Sequence, residues 1–171
     1  FDGSGTLFGA DIFSNELLTI DTNTGNATSV GPFGAGLLQV RGLAFDINNG
    51  TLFGVDRISD QLITINTSTG AATAVGPLVI RDEVRALAFD ISSGTLYGTD
   101  DQSDELLTID TSTGTATVVG GVNLPGDQGI NGLAFRNQAS NNVIPEPSSL
   151  ALLGIGGLAL AGYGWRRKRS V

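Results

Sequence analysis

Acidic side chains that could hold a cation cluster in one short segment of the sequence, residues 100–105. The segment holds four carboxylates and a serine hydroxyl, and hard cations such as Ca²⁺ bind clustered oxygen ligands. We therefore consider a calcium site formed by Asp100, Asp101, Asp104 and Glu105. The alternative is a solvated turn whose Asp and Ser side chains cap their own backbone. Similar acidic segments recur at residues 11–16 and 56–61.

Arginines that could bind an anion lie in long, non-repeating segments of the chain. These segments are residues 31–41, 76–85 and 120–131. The candidate ligand-binding residues are Arg41, Arg81, Arg85 and Asn131. In an otherwise acidic chain they predict a small site for a polar or anionic-sugar ligand. The alternative is ion pairing between blades, of Arg81 and Arg85 with the nearby acids Asp82, Glu83 and Asp127.

The residue types that the chain lacks exclude several kinds of chemistry. It has no cysteine and no histidine, which excludes disulfides, thiolate metal sites and imidazole catalysis. It also has no phosphate-binding loop, dinucleotide fingerprint or nucleophile elbow. Residues 1–144 hold sixteen acidic and five basic residues, a net charge of −11, which disfavours nucleic-acid binding. We therefore predict that the protein is not an enzyme and needs no cofactor, calcium being the one candidate.

Three short motifs recur through the first 136 residues with a nearly constant period. The aromatic residue of the first motif falls at Phe1, Phe45, Phe89 and Phe135, at spacings of 44, 44 and 46 residues. The second motif begins at Thr6, Thr51 and Thr95, and the third at Leu17, Leu62 and Leu106. Each repeat contains four short runs of strand-forming residues separated by glycine-containing turns. In the second repeat the predicted strands are residues 43–46, 51–55, 61–66 and 71–75.

Four strands in each repeat of about 44 residues indicate a β-propeller blade. The repeats resemble the YVTN-type and related repeats of bacterial extracellular propellers. We predict an all-β fold for residues 1–136, with four-stranded units at about 1–44, 45–88 and 89–134 and one further strand. Three blades do not close a ring, so we expect more repeats upstream of Phe1, or several chains that complete the ring. The alternative is a β-sandwich of tandem hairpins.

The C-terminal segment has a different composition from the repeats. A linker, residues 137–147, ends in Pro-Glu-Pro, and residues 148–165 carry no charge. As a helix, these 18 residues would span about 27 Å, close to the hydrocarbon thickness of a bilayer. A basic tail follows at residues 166–171. The positive-inside rule places this tail in the cytoplasm and the repeats outside it.

This three-part C-terminus resembles the PEP-CTERM sorting signal of Gram-negative bacteria. The residues that carry the resemblance, besides the apolar run, are Pro145, Glu146, Pro147, Arg166, Arg167, Lys168 and Arg169. The resemblance implies that an exosortase, a membrane-embedded processing enzyme, recognises the tail and removes it. The body is then released to the cell surface or to an exopolysaccharide matrix. The alternatives are a plain tail anchor, or a buried core helix that leaves the basic end unexplained.

These observations predict an exported, non-enzymatic propeller that acts as a binding or scaffold protein at the cell surface or with exopolysaccharide. Its expected partners are an exosortase, the inner membrane before processing, and exopolysaccharide, but not nucleic acid. The alternatives are an extracellular propeller enzyme (a glycan-active hydrolase or lyase, or a lactonase) and a calcium-dependent binding protein. In either alternative, some active residues would lie in missing blades.

Overall fold

Eleven β-strands and no helix make up the part of the chain that the structure describes. The computed structural model describes residues 1–34, 36–37, 39–79, 83–122 and 129–135. All of them belong to the first of the two units, Phe1–Asn137 and Gln138–Val171, into which the chain divides. The strands are β1 (Leu7–Asp11), β2 (Glu16–Ile20), β3 (Ala27–Pro32), β4 (Val40–Asp46), β5 (Thr51–Asp56), β6 (Gln61–Ile65), β7 (Ala72–Pro77), β8 (Val84–Asp90), β9 (Thr95–Asp100), β10 (Glu105–Ile109) and β11 (Ala116–Gly121). The predicted all-β fold is confirmed.

The strands form three antiparallel sheets in which consecutive strands pair. Sheet 1 contains β1–β3, sheet 2 contains β4–β7 and sheet 3 contains β8–β11. Their register repeats: Phe45 lies opposite Leu52 in sheet 2, and Phe89 lies opposite Leu96 in sheet 3. The sequence period is therefore a structural period, with one sheet in each repeat.

The turn between the last two strands of each sheet explains one repeated motif. The Asn66 side chain accepts hydrogen bonds from the backbone N–H groups of Ser68 at 2.9 Å and Thr69 at 3.1 Å. Gly70 closes the turn with φ of 79°, a left-handed conformation that glycine adopts without strain. Asp21 holds the equivalent turn of sheet 1, and the N–H groups of Asn23 and Thr24 lower its pKa. These polar residues therefore serve the turns.

Apolar side chains from neighbouring sheets form the core. Phe8 of sheet 1 stacks on Phe45 of sheet 2, with ring centroids 6.3 Å apart. Phe53 of sheet 2 stacks on Phe89 of sheet 3 in the same way, at 6.1 Å. The buried residues of the second interface include Leu62, which is 0% exposed. Burial of this apolar surface is the main force that holds the sheets together.

The last strand of each sheet contacts the turn of the next sheet through backbone atoms. The Ala72 N–H donates to the Phe33 carbonyl at 2.9 Å, and the Ala116 N–H donates to the Leu78 carbonyl at 3.0 Å. A Cβ atom at Gly76 would lie 2.1 Å from the backbone oxygen of Thr113. Only glycine allows this approach, so Gly76 preserves the spacing between sheets 2 and 3.

Three details differ from the sequence prediction. Strand β4 begins at Val40 rather than Leu43, because a register shift between Arg41 and Leu43 carries the pairing further back. Sheet 1 contains three strands rather than four. The described residues 129–135 form no strand, although Phe135 stacks on Tyr97 with ring centroids 5.8 Å apart.

Candidate functional site

A cavity of about 460 Å³ lies where the first strands of sheets 2 and 3 meet the end of β1. Strands β4 and β8 each contribute an arginine at the same repeat position. Residues 129–135 contribute a carboxamide. The lining residues are Ala10, Ile12, Val40, Arg41, Gly42, Leu43, Arg85 and Asn131. The cavity is therefore lined both by apolar side chains and by two arginines.

Arg41 is the arginine of this cavity whose charge is not neutralised by any described neighbour. Among the residues that the structure describes, no carboxylate forms an ion pair with it. Its Nε atom is buried and has no hydrogen-bond partner among them. A buried donor that lacks a partner is destabilising.

Arg85 is held in place by two carboxylates and the carboxamide of the cavity. Its Nη2 atom lies 2.7 Å from Oε2 of Glu83, and its Nη1 atom lies 2.7 Å from Oδ2 of Asp101. The same Nη1 atom donates to Oδ1 of Asn131 at 3.3 Å. These contacts fix the guanidinium and compensate its charge. Arg85 therefore contributes a fixed side chain to the cavity and little net positive charge.

Glu83 links two sheets through a second arginine. It accepts a hydrogen bond from Arg57, which follows β5 of sheet 2, as well as from Arg85 of sheet 3. The hydrogen bonds from Arg57 and Arg85 lower the pKa of Glu83 to about 2. Its side chain is 18% exposed, so water screens these ion pairs only partly.

The structure brings together three of the four predicted ligand-binding residues. Arg41, Arg85 and Asn131 line one cavity. Arg81 lies outside the described residues. The alternative, ion pairing, applies to Arg85 through Glu83. The other acids proposed for that pairing, Asp82 and Asp127, also lie outside the described residues.

Sequence reasoning missed Arg57 as a member of this network. It follows the repeated Asp56, and its counterparts in the other sheets are Ile12 and Asp101. Ile12 lines the cavity, and Asp101 pairs with Arg85. A variable position inside a repeated loop was the signal that could have identified this residue.

The four acids of the predicted calcium site have different partners. Asp100 is 2% exposed and accepts hydrogen bonds from the N–H groups of Gln102 and Ser103 at 2.8 and 3.1 Å. Asp101 pairs with Arg85, and Glu105 accepts from the Ser103 hydroxyl at 3.1 Å. Asp104 takes a left-handed conformation, with φ of 51°. Among the described residues, no three Asp or Glu side chains are grouped to hold a metal ion.

The sorting residues and the predicted span fall outside the described residues. These are Pro145, Glu146, Pro147, Arg166, Arg167, Lys168, Arg169 and residues 148–165. Within the described ranges, no helix has the length and apolar character needed to cross a membrane. The evidence on the C-terminus therefore comes from sequence comparison.

Comparison with known proteins identifies the C-terminus. Residues 143–169 match the PEP-CTERM protein-sorting motif. The chain carries an exosortase-dependent sorting signal. That signal directs export and the processing of a membrane-anchored precursor. No curated relative matches the chain.

Solved structures identify the fold of the repeats. A chain of the nidogen/laminin complex matches with a TM-score of 0.59 and 21% identity, over 76% of this chain and 48% of that one. Virginiamycin B lyase from Staphylococcus aureus matches with a TM-score of 0.52 and 14% identity, over 72% and 40%. A luciferin-regenerating enzyme matches with a TM-score of 0.55 and 14% identity, over 78% and 47%.

The repeats form β-propeller blades. The match to these solved structures, together with one antiparallel sheet in each repeat, favours the predicted propeller over the alternative β-sandwich. The chain spans less than half the length of each of these three solved structures. At such low sequence identity the likeness shows the fold alone.

The prediction that the protein is not an enzyme is wrong. The same propeller fold carries catalysis in virginiamycin B lyase and in the luciferin-regenerating enzyme. The inference had relied on the absence of histidine and cysteine and of known catalytic motifs. Residue types alone do not exclude activity on a scaffold that enzymes also use.

Proposed function

We propose that this exported propeller binds an acidic sugar chain of the cell surface or of an exopolysaccharide matrix. The binding site is the cavity lined by Arg41, Arg85 and Asn131. The PEP-CTERM signal supports the extracellular setting, since it directs the chain out of the cytoplasm. The scaffold role follows if the ligand is a matrix polymer.

The observation that carries the proposal is that Arg41 forms no ion pair among the described residues. In a body with a net charge of −11, acidic side chains are abundant, yet none of the described ones pairs with Arg41. A guanidinium binds a carboxylate through two parallel hydrogen bonds, which favours uronic-acid-type sugars over neutral ones. A ligand carboxylate would supply the countercharge that no described residue provides.

The rest of the cavity suits a sugar ring. Its volume of about 460 Å³ lies within the usual range for small-ligand sites. Ile12 and Leu43 offer apolar contact for the ring carbons, and Asn131 offers polar groups for hydroxyls. Arg85 is fixed beforehand by Glu83 and Asp101, so this side of the cavity would need little ordering when the ligand binds.

A glycan array followed by calorimetry tests this proposal on the full chain. We expect acidic oligosaccharides to bind, and Arg41→Ala to weaken that binding about tenfold or more. Arg41→Lys keeps the positive charge but loses the planar guanidinium that forms two parallel hydrogen bonds, so the affinity of this variant should be intermediate.

Asn23→Asp provides the matched control, because it makes the same change in net charge at an exposed turn of sheet 1. The C-terminal cations are common to all variants and cannot produce a difference between them. If Arg41→Ala and Asn23→Asp both bind as tightly as the unchanged chain, the cavity is not the binding site.

A further inference from the structure

A phenylalanine at the margin of the arginine cavity is almost fully exposed. Phe13 belongs to the loop that joins β1 to β2, and its side chain is 94% exposed. It directly follows Ile12, which lines the cavity and is itself 39% exposed. Because consecutive Cα atoms lie about 3.8 Å apart, the backbone of Phe13 is only one residue outside the cavity lining. The two residues therefore give this margin an open apolar surface.

Hydrogen bonds fix the backbone of this loop. The carboxylate of Asp11 accepts the N–H of Phe13 at 2.8 Å and the hydroxyl of Ser14 at 2.8 Å. The carbonyl of Asn15 accepts the N–H of Phe33, in the segment after β3, at 3.1 Å. A ligand that contacts Phe13 would therefore meet a backbone that is already ordered, which lowers the entropic cost of binding.

The fold itself does not require an aromatic residue at this position. The equivalent loop of sheet 3 carries Gln102, whose N–H makes the same hydrogen bond, to Asp100, at 2.8 Å. The equivalent loop of sheet 2 carries Ile58, which is 53% exposed although sheet 2 packs against a neighbouring sheet on both sides. Exposure is therefore a property of this loop position, and the aromatic ring of Phe13 needs an explanation other than folding.

An exposed aromatic ring beside a sugar site suits a second sugar ring. The face of a phenyl ring carries partial negative charge, and the C–H groups on one face of a pyranose carry partial positive charge. Stacking of these two faces also removes apolar surface of both rings from water. In a linear oligosaccharide, the unit that adjoins the one in the cavity lies at the cavity margin, where Phe13 is found.

We propose that Phe13 forms a second subsite, so that the ligand is a chain of sugar units rather than a free acidic monosaccharide. The inference rests on the proposed function, because the first subsite is the cavity with Arg41. One acidic unit occupies that cavity, and the adjoining unit stacks its C–H face on the ring of Phe13. The arginine then selects for charge, and the phenylalanine selects for chain length.

Calorimetry of the full chain tests this inference with uronic acids of different length. The probes are glucuronate, mannuronate and galacturonate, each as the monosaccharide and as its linear oligomer. We expect Phe13→Gln to weaken oligomer binding about tenfold and to leave monosaccharide binding unchanged, since only the oligomer reaches the ring. Arg41→Ala should weaken the binding of both.

Ile58→Gln is the matched control, because it removes an exposed apolar side chain from the equivalent loop of sheet 2. The residue before it, Arg57, pairs with Glu83. This variant should bind every probe as the unchanged chain does. Phe13→Gln should also keep the circular dichroism spectrum and the urea midpoint of the unchanged chain, since sheet 3 accepts glutamine at this position.

The results separate this inference from the proposed function. If Arg41→Ala weakens oligomer binding but Phe13→Gln does not, or if Phe13→Gln weakens it no more than Ile58→Gln, the second subsite is refuted and the proposed function stands. Equal weakening of monosaccharide and oligomer binding by Phe13→Gln also refutes it. If no acidic sugar binds, or if Arg41→Ala has no effect, both proposals fail.

Tryptophan fluorescence gives an independent measurement, because the chain has a single tryptophan, Trp165. Phe13→Trp adds an indole at the proposed subsite, and Ile58→Trp adds one at the equivalent loop of sheet 2. The oligomer should change the emission of Phe13→Trp, whereas Ile58→Trp should respond no more than the unchanged chain. Equal responses of the two variants to a bound oligomer would show that no sugar unit lies on Phe13.

Discussion

Glu83 joins two neighbouring sheets beside the candidate site. It bonds Arg57 from sheet 2 and Arg85 from sheet 3, and both interactions favour its charged form. Arg85 in turn contacts Asn131. A single carboxylate therefore orders the wall of the cavity, while Arg41 stays without a described ion-pair partner.

Replacing this carboxylate should reduce stability in a pH-dependent way. The pKa of Glu83 is lowered from 4.5 to about 2, so its contribution is present above pH 4.5 and is lost as the pH falls towards 2. We expect Glu83→Gln to lower the free energy of unfolding by about 1–3 kcal/mol at pH 7. Urea unfolding at pH 7 and pH 3 measures this, and the difference from the unchanged chain should be smaller at pH 3.

Glu16→Gln is the control for that experiment. Glu16 accepts one hydrogen bond from the Ser29 hydroxyl at an exposed position and has no described ion-pair partner. Its replacement should change the free energy of unfolding by no more than about 0.5 kcal/mol. Equal losses for Glu83→Gln and Glu16→Gln would contradict the special role of Glu83.

Sequence reasoning identified the residues of the cavity because they lie in the long segments that connect the repeats. Arg41 and Arg85 share a repeat position, Asn131 replaces them, and the structure places all three on one cavity. It did not identify Arg57, or Asp101 as the partner of an arginine, because a pairing between loops depends on how the sheets pack. The acids of residues 100–105 were considered as one cation site, but backbone N–H groups and Arg85 already occupy two of them.

At the scale of elements, each sheet is held to the next by the same two contacts. One is the stack of aromatic rings between the inner strands, as with Phe53 and Phe89. The other is the close backbone approach between Gly76 of β7 and the turn at Thr113. Strand positions were predicted to within a few residues because their motifs repeat. The start of β4 was missed because a register shift follows no hydrophobic pattern.

Adding one methyl group at Gly76, where β7 approaches the turn at Thr113, should push sheets 2 and 3 apart. In Gly76→Ala the new Cβ would lie 2.1 Å from the Thr113 oxygen, and a backbone atom cannot move aside cheaply. We expect a loss of about 1–3 kcal/mol in the free energy of unfolding, measured with urea. Gly3→Ala is the control, because the nearest atom to its new Cβ would be in the Ile47 side chain at 3.5 Å, an ordinary contact distance. This substitution should change the free energy of unfolding by no more than about 0.5 kcal/mol. Gly76→Ala as stable as Gly3→Ala would contradict the tight interface.

At the scale of the whole molecule, an acidic propeller body is joined to a basic sorting signal. The signal at residues 143–169 determines that the chain is exported and processed. Four of the nine basic residues lie in its basic tail, so removal of the tail would leave a body of strongly negative charge. Such a body repels anionic polymers except where cations are concentrated.

Replacing Pro145, Glu146 and Pro147 by alanine should block processing. We expect the variant to stay in the membrane fraction at its precursor mass when expressed in a bacterium that carries an exosortase. Mass spectrometry of the membrane and released fractions measures this. Ser140, Asn141 and Asn142 replaced by alanine form the matched control and should be processed normally. Release of the motif variant at the same shortened mass as the control would show that processing does not depend on the motif.

The sequence by itself determined the repeat period, the strands, the propeller blades and the sorting signal. Each depends on local patterns: repeated motifs, short runs of strand-forming residues, turn glycines, and the order of three C-terminal segments. Only the tertiary structure decided which charged groups meet. Glu83 pairs with Arg57 from another sheet, whereas Arg41 has no described ion-pair partner. The reason is that contacts between loops of neighbouring sheets depend on packing in space, which a sequence period does not encode.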